Sequence, residues 1–288
     1  MQRSQSITRH SASNLALAFV LLPKPKRAAM AALYALCREV DDVADDLNRS
    51  VEERQQGLAA WRVEIEAACA GRTTSFAVAS ELQPVITQFH LPLALFEELL
   101  CGVEADLTTL RYSTWEELDR YCYRVASVVG LLSIQVFGFH DNQCRDYAIA
   151  LGKALQLTNI LRDVRNDAER GRIYIPENEL DRFGVRPEEI LNLEYSDRFF
   201  RLAQSVAARA RGFYAEARRS LPEVDRKAMA PAELMGSIYW RLLAKLERNR
   251  FAVFDPSLTR LSKAQKIFLI AQAWLRMGSG ARASYGAA

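Results

Sequence analysis

Apolar residues in this chain recur at helical intervals and almost never alternate. One example is the series Leu95, Leu99, Leu100 and Val103. Spacings of three and four residues place such side chains on one face of an α-helix. The best alternating run, residues 172–176, is too short to found a sheet. The sequence therefore predicts an all-α protein.

Proline, glycine and short polar clusters divide the chain into segments of helical length. Ser50 is followed three residues later by Glu53, which is a capping-box pattern at the start of a helix. Pro84 is expected to interrupt the helical pattern around it. The uncharged segment 125–140 contains Ser, Gln and Gly and is shorter than the roughly 20 apolar residues that cross a bilayer. It is predicted to be a buried core helix.

Composition limits the classes of protein that need to be considered. Half of the 288 residues are hydrophobic, which is enough for a sizeable core, and no abrupt change in composition divides the chain. We expect one domain over residues 1–288, with disorder at the ends, chiefly in residues 278–288. The net charge of +3 is spread along the chain, which argues against a nucleic-acid partner.

The cysteines and the lack of a recognisable targeting segment indicate a compartment. The five cysteines are widely spaced and include no C-x-x-C pair, which favours a reduced protein over a disulfide framework. Neither a signal peptide nor a membrane span is evident in the sequence. We expect a cytoplasmic protein, and a peripheral contact with a membrane is left open.

Two segments each carry a pair of aspartates four residues apart. Asp41 and Asp45 form one pair, and Asp163 and Asp167 form the other. On a helix this spacing puts both carboxylates on one face, where like charges are destabilising by roughly 0.2–0.5 kcal/mol. Oxygen ligands on adjacent turns suit Mg²⁺, which commonly binds through one or two carboxylates, waters and phosphate oxygens. The alternative for either pair taken alone is a solvated acidic face.

The second pair continues a narrow polar stripe. Gln156 and Asn159 precede Asp163 and Asp167 at helical spacing, and the other faces of this segment are apolar. An otherwise apolar helix should be buried, so its acidic stripe should face something other than bulk water. Two such helices would offer converging carboxylates, which favours a metal site over a solvated face.

Arginines accompany both aspartate pairs. Arg38 precedes the first pair, and four arginines surround the second: Arg162, Arg165, Arg170 and Arg172. A guanidinium group can contact phosphate through two hydrogen bonds. For Arg165 and Arg170 we favour ordinary pairing with carboxylates or water.

Four stretches carry a resemblance to a known family. Residues 32–45 and 157–167, which contain the aspartate pairs, look like the two signatures of the squalene/phytoene synthase family. Residues 121–130 resemble the central helix motif of that family, and residues 172–174 resemble the segment after the second signature. The similarity runs in the expected order from about residue 13 to about residue 277.

The resemblance implies a head-to-head prenyltransferase with the isoprenoid-synthase fold, in which helices surround a central apolar cavity. It implies Mg²⁺, with Mn²⁺ as a substitute, held against diphosphates by Asp41, Asp45, Asn159, Asp163 and Asp167. It implies phosphate contacts from Arg38, Arg172 and Tyr174 and, on a looser alignment, Tyr239. Tyr121 would lie near the reacting carbons; without the family match, ordinary core packing explains it equally well.

The ends of the chain match this family less closely. Some members carry a His and a Ser in an N-terminal diphosphate flap. Here Ser11, Ser13 and Asn14 compete for that register, and His10 falls one residue off it. Arg260 is the candidate for a phosphate-binding arginine near the C-terminus.

Within the family, the resemblance favours hopanoid-pathway members that condense two farnesyl diphosphates to presqualene diphosphate. Ser127 stands where phytoene synthases more often have Gly, and residues 131–134 look like the hopanoid-pathway enzymes. NADPH is not expected, and a downstream squalene-forming enzyme is an open candidate partner. Phytoene or dehydrosqualene synthesis is the alternative. A different class, a non-catalytic subunit that tethers complexes to membranes, conflicts with the retention of all four aspartates.

Overall fold

The computed structural model describes residues 2–10, 18–255, 265, 268–273 and 285–286. The described residues between Gln2 and Arg248 form twelve α-helices: α1 (Gln2–His10), α2 (Lys24–Asp45), α3 (Val51–Cys69), α4 (Ala77–Phe89), α5 (Leu93–Thr108), α6 (Trp115–Cys122), α7 (Val128–Phe137), α8 (Gln143–Glu169), α9 (Glu177–Phe183), α10 (Pro187–Leu191), α11 (Asp197–Ser220) and α12 (Ala230–Arg248). A 3₁₀ turn covers Phe19–Leu21, and a π-helical turn covers Tyr123–Ser127. The described ranges contain no strand, only an isolated bridge between Arg111 and Ile173, so the all-α prediction is confirmed.

Side-chain oxygens of Ser50, Thr114 and Ser196 cap the N-termini of α3, α6 and α11. Ser50 and Glu53 form the expected capping box, in which the Ser50 hydroxyl accepts from Glu53 N at 3.2 Å and the Glu53 carboxylate accepts from Ser50 N at 2.8 Å. The expectation for Pro84 is wrong, because this residue lies inside α4. Pro84 is exposed, so water can satisfy the carbonyl that its missing N–H leaves free one turn earlier.

The longest helix, α8, forms the centre of the structure. The helix α11 runs along it, and α7, α12 and the π-helical turn also pack against it. The core position predicted for the uncharged segment 125–140 is confirmed, because the apolar side chains of α7 are almost all buried. In the part of the chain that the structure describes, no helix is long and apolar enough to cross a membrane.

The π-helical turn and α8 approach each other closely. A Cβ atom on Gly152 would lie 2.5 Å from Ser127 Cα, and one on Gly130 would lie 3.0 Å from the carbonyl oxygen of Ala148. Ser127 is fully buried, and its hydroxyl donates to the carbonyl oxygen of Ile149 at 2.8 Å. The turn is therefore held against α8 by backbone contact and by one buried hydrogen bond. Such turns are frequent at functional sites.

Replacing Gly152 by alanine should destabilise the protein by about 1–3 kcal/mol, because the added methyl group meets backbone rather than a movable side chain. Gly212→Ala in α11 is the matched control, since a Cβ there meets nothing within 4 Å. That variant should be neutral or stabilising by up to about 1 kcal/mol. Denaturant unfolding of both variants measures the difference, and equal stabilities would contradict the packing argument.

Candidate active site

A cavity of about 490 Å³ lies between α2, α7, α8 and α12. Most of its lining is apolar or aromatic, and the aromatic members are Phe19, Tyr34, Phe137, Tyr147 and Tyr239. Polar side chains occur mainly where the C-terminal halves of α2 and α8 reach it, namely Arg38, Asp41, Asn159 and Arg162. The cavity thus has a charged end and an apolar end. Along α8, Tyr147 and Asn159 are roughly 18 Å apart at 1.5 Å per residue.

An ion pair and shared electrostatic interactions with Asp106 link the two aspartate pairs beside the charged end of this cavity, although Asp45, Asp163 and Asp167 are not among its lining residues. Asp41 is one of the lining residues. Asp45, one turn further along α2, accepts a hydrogen bond from Arg170 at the end of α8, with 2.9 Å between Oδ1 and Nη1. An ion pair therefore joins Arg170, three residues after the second motif, to Asp45, the last aspartate of the first pair. Asp163 accepts from Arg162 through both carboxylate oxygens, with 2.8 Å between Oδ1 and Nε.

Burial and like charge perturb the carboxylates at this end. The pKa of Asp41 is raised to about 7, first by burial and then by Asp45 and Asp106, although Arg38 opposes the shift. The pKa of Asp167 is also raised to about 7, by burial and then by Asp163 and Asp106, with Arg172 and Arg170 opposing. Asp41 and Asp167 are thus only partly charged near neutral pH, and neighbouring carboxylates repel the charge on each of them. A divalent cation would relieve that repulsion.

The donor set fits a cation that keeps some of its waters. In the described residues, no three His, Cys, Asp or Glu side chains form a ready-made metal cage. Mg²⁺ does not need one, because it binds through one or two carboxylates together with waters and phosphate oxygens. Asn159 offers a further oxygen ligand, since its Oδ1 is buried and has no hydrogen-bond partner. A buried oxygen without a partner is costly unless a ligand completes it.

Asp106 is a site residue that the sequence interpretation missed. Its carboxylate accepts from the Tyr174 hydroxyl at 2.8 Å and from the Tyr121 hydroxyl at 2.9 Å, and its carbonyl oxygen accepts from Arg172 at 2.7 Å. Burial raises its pKa, and the two phenol hydrogen bonds counteract part of that rise. A signal was present in the sequence, because Asp106 continues the apolar spacing of Val103 in α5.

Three tyrosine rings surround Asp106. The Tyr121 and Tyr174 rings are stacked with centroids 5.2 Å apart, and the Tyr112 ring lies 5.4 Å from Tyr121. Burial and the neighbouring Asp106 charge raise the pKa of Tyr121 well above its usual value, so it is a neutral phenol. Its hydroxyl is directed to Asp106, and Tyr121 is not among the residues lining the cavity. Its placement beside reacting carbons stays a prediction.

The remaining predicted phosphate contacts are distributed around the charged end. Arg38 lines the cavity and pairs with Asp42 at 2.6 Å. Tyr239 lines it from α12 and contributes to raising the pKa of Arg162; burial opposes that rise, which comes mainly from Asp163. Arg165 pairs with Glu169 at 2.8 Å, as expected.

Arg170 also pairs with a carboxylate, as expected, but this carboxylate is one of the motif aspartates. Four residues considered for the two ends lie outside the described residues: Ser11, Ser13, Asn14 and Arg260. The side chain of His10 is outside them as well.

Comparison with known proteins identifies this arrangement. The sequence profile of the squalene/phytoene synthase family matches residues 8–265. The chain belongs to the squalene/phytoene synthase family. It is therefore an isoprenyl head-to-head prenyltransferase by family, and its fold is that of squalene and dehydrosqualene synthases.

Relatives and solved structures support the same assignment. The chain is 38% identical over 242 residues to the presqualene diphosphate synthase of Zymomonas mobilis, covering 84% of this chain and 82% of the relative. It is 34% identical over 284 residues to the 15-cis-phytoene synthase of Synechocystis sp., covering 94% and 83%. Among solved structures it is similar to a dehydrosqualene synthase, with a TM-score of 0.84, 30% identity and coverage of 96% and 95%.

Asp41→Asn should stabilise the protein in the absence of a divalent cation, and more at pH 8 than at pH 5. The pKa of Asp41 in the folded protein, about 7, lies above the ordinary value of 3.8. Between these two pKa values the folded state therefore holds a proton that the unfolded state has lost. Stability is therefore lost as pH rises through that window, and an amide escapes the loss. Melting temperatures at both pH values measure it.

The control for this prediction is Asp42→Asn, because Asp42 is two-thirds exposed and pairs with Arg38 at the surface. It should show no comparable gain at pH 8. A stability of Asp41→Asn that equals the wild type at both pH values would contradict the buried-charge interpretation.

Tyr121→Phe should destabilise the protein by about 1–3 kcal/mol, because it leaves a buried oxygen of Asp106 with one partner fewer. Tyr112→Phe is the matched control in the same ring cluster. The Tyr112 hydroxyl is buried without a hydrogen-bond partner, so its removal should be neutral or stabilising. Urea unfolding of the two variants is the measurement; an equal loss in both would show that Asp106 does not hold Tyr121.

Proposed function

We propose that this protein condenses two farnesyl diphosphates to presqualene diphosphate in a Mg²⁺-dependent reaction. The observation that carries the proposal is the link between the two aspartate pairs beside the charged end of a long apolar cavity, which Asp41 lines. Carboxylates with raised pKa values and adjacent arginines suit a bound cation and a diphosphate. The apolar remainder of the cavity suits a hydrocarbon chain.

The residues for holding the cation are the four aspartates and Asn159. Asp41, Asp45, Asp163 and Asp167 offer carboxylates from two helices, and the buried Asn159 oxygen lacks any other partner. When bound, Mg²⁺ supplies neutralisation of the diphosphate and makes it a better leaving group. Arg38 and Arg172 add fixed positive charge at the same end, where they would orient the phosphate oxygens.

The apolar part of the site protects the reactive carbon chain. Departure of diphosphate from one substrate leaves an allylic cation, which water would quench. The apolar lining disfavours water beside the chain, and the Phe19 and Tyr34 rings in that lining can stabilise a cation. The 2,3-double bond of the second substrate attacks C1 of the first, and loss of one proton closes the cyclopropane ring. The products are presqualene diphosphate, one diphosphate and one proton.

The released diphosphate is the proposed proton acceptor. Tyr121 is a weak candidate, because burial and Asp106 raise its pKa well above the usual value and its hydroxyl donates to Asp106. We assign Tyr121 a positioning role. Asp106 accepts hydrogen bonds from the Tyr121 and Tyr174 hydroxyls and from Arg172, and it thereby holds the two hydroxyls beside the guanidinium group. The anion that has just departed lies at the charged end and has several basic oxygens.

The choice of farnesyl chains is supported by the apolar end of the cavity. Bulky side chains lie there, including Met30, Phe137 and Tyr147, and they limit the depth available to a hydrocarbon chain. The similarity to the presqualene diphosphate synthase of Zymomonas mobilis supports the same product. Ser127 contributes no direct contact, because it faces α8 and is not among the residues lining the cavity.

Phytoene synthesis from geranylgeranyl diphosphate is the second candidate function. The observation in its favour is similarity, because the chain is also 38% identical over 267 residues to the phytoene synthase of Mycobacterium tuberculosis. The two candidates share the charged end of the site and differ in the chain that the apolar end must accept.

Purified protein with farnesyl diphosphate and Mg²⁺, without NADPH, should form presqualene diphosphate, detected by mass spectrometry of the dephosphorylated product. Removal of the cation with a chelator should abolish turnover. Turnover of geranylgeranyl diphosphate together with none of farnesyl diphosphate would overturn the product assignment and favour the second candidate.

Asp163→Asn is the negative control for this assay. It should abolish activity while helicity measured by circular dichroism remains intact, because the carboxylate is lost without a change in size. Asp181→Asn, which changes an exposed aspartate in α9 outside the cavity lining, should retain wild-type activity. Activity of Asp163→Asn within a few-fold of the wild type would contradict the metal-site assignment.

A further inference from the structure

The segment near the C-terminus makes a specific contact with the core. Disorder was expected there, and this expectation is wrong for Tyr285, whose side chain is only 1% exposed. Its ring packs against Tyr214 with centroids 5.8 Å apart, and its carbonyl oxygen accepts a hydrogen bond from Arg218 at 3.2 Å. The ring contact and the backbone hydrogen bond together show that Tyr285 packs at a defined position in the core.

Two glycines make room for Tyr285 to pack at this position. A Cβ atom on Gly236, in the middle of α12, would lie 2.6 Å from Cε1 of the Tyr285 ring. Gly286 has a positive φ of 65°, and a Cβ there would lie 2.5 Å from the carbonyl oxygen of Tyr214. Glycine inside a helix is unfavourable by roughly 0.5–1 kcal/mol relative to alanine. The close approach of the Tyr285 ring gives a physical reason for Gly236.

The Tyr285 hydroxyl is linked to the wall of the cavity through one carboxylate. It donates to Oε1 of Glu233, and the Tyr147 hydroxyl donates to the same oxygen at 2.8 Å. Tyr147 lines the apolar end of the cavity. Residues on both sides of Glu233, Ala232 and Met235, line the cavity from α12. The carboxylate therefore ties Tyr285 to two parts of the wall.

We propose that Tyr285 is a specificity-determining positioning residue, which fixes the depth of the apolar end by holding Glu233, Tyr147 and the first turns of α12 in place. This inference rests on the proposed function, because it assigns the chain-length limit of that site. With the tie intact, the wall is fixed and the shorter prenyl chain is preferred. When the hydrogen bond between Tyr285 and Glu233 is lost, Tyr147 and the first turns of α12 can move outward, and the cavity accommodates a longer prenyl chain.

The test measures binding of two unreactive ligands, the thiolodiphosphate analogues of farnesyl and geranylgeranyl diphosphate, in which sulfur replaces the bridging oxygen at C1. Titration calorimetry of the full chain gives the ratio of the two dissociation constants. A loss of folded protein lowers both binding capacities equally and leaves this ratio unchanged. The ratio therefore responds to the shape of the cavity and not to overall stability.

Tyr285→Phe removes the hydroxyl and keeps the ring. It should shift the ratio toward the longer analogue by roughly five- to tenfold, because one hydrogen bond to the wall is lost. Gly236→Ala displaces the ring by a different route and should shift the ratio in the same direction. Tyr214→Phe is the matched control, since its hydroxyl bonds Thr158 at 3.1 Å and neither residue lines the cavity. It should leave the ratio unchanged.

A double variant tests the route of the effect. In a Glu233→Ala background, Tyr285→Phe should add little further shift, because the carboxylate that both hydroxyls share is already gone. Independent, additive shifts would overturn the proposed link through Glu233. A Tyr285→Phe variant that is less stable but has the wild-type ratio would show a structural anchor only, which also overturns the inference.

The experiment separates this inference from the proposed function. If the wild type binds both analogues but converts neither diphosphate, the proposed function is wrong, and the binding ratio still decides the role of Tyr285. If it binds neither analogue, both proposals are wrong. If it makes presqualene diphosphate and the ratio does not respond to Tyr285→Phe, the function stands and the inference is refuted.

Discussion

Repulsion between partly buried carboxylates is the constraint on which the rest of this site depends. Asp41, Asp106 and Asp167 come from three helices, and burial raises the pKa of each. The fold holds them together because α2, α5 and α8 are fixed by large apolar interfaces elsewhere. The unfavourable interaction is thus maintained by packing. A site in this condition gains stability when positive charge enters it, which couples cation binding to the integrity of the fold.

The arginines around the site reduce this repulsion without removing it. Arg170 pairs with Asp45, and Arg162 pairs with Asp163. Asn159 lies one turn before Asp163 on the same face of α8, and its buried oxygen remains without a partner. A diphosphate that arrives with its cation would compete for the same guanidinium groups. The ion pairs of the unliganded protein are therefore expected to rearrange when substrate binds.

The fold class and the charged end of the site could be predicted from the sequence because both depend on the spacing of residues that lie within a few positions of one another. Helical periodicity and capping patterns such as Ser50 with Glu53 act within a few residues. The aspartate pairs likewise lie one turn apart on single helices. Pro84 shows the limit of local reasoning, because its effect depends on whether its carbonyl partner faces water, and exposure is a property of the folded protein.

The residues that the sequence did not predict act through contacts between distant segments. Asp106 is understood only beside Tyr121 and Tyr174, and Tyr285 only beside Gly236 and Glu233. The spacing from Val103 indicates that Asp106 faces the core, but the partners of Asp106 and of Tyr285 are too distant in sequence for a linear pattern to reveal. The same distinction separates reaction class from product. The charged end is built from short motifs, whereas the apolar end is lined from α7, α8 and α12, with Tyr285 bonded to Glu233 of α12. Under the proposed function, substitutions far from the aspartates in sequence are therefore expected to alter the preferred prenyl chain length while leaving the reaction unchanged.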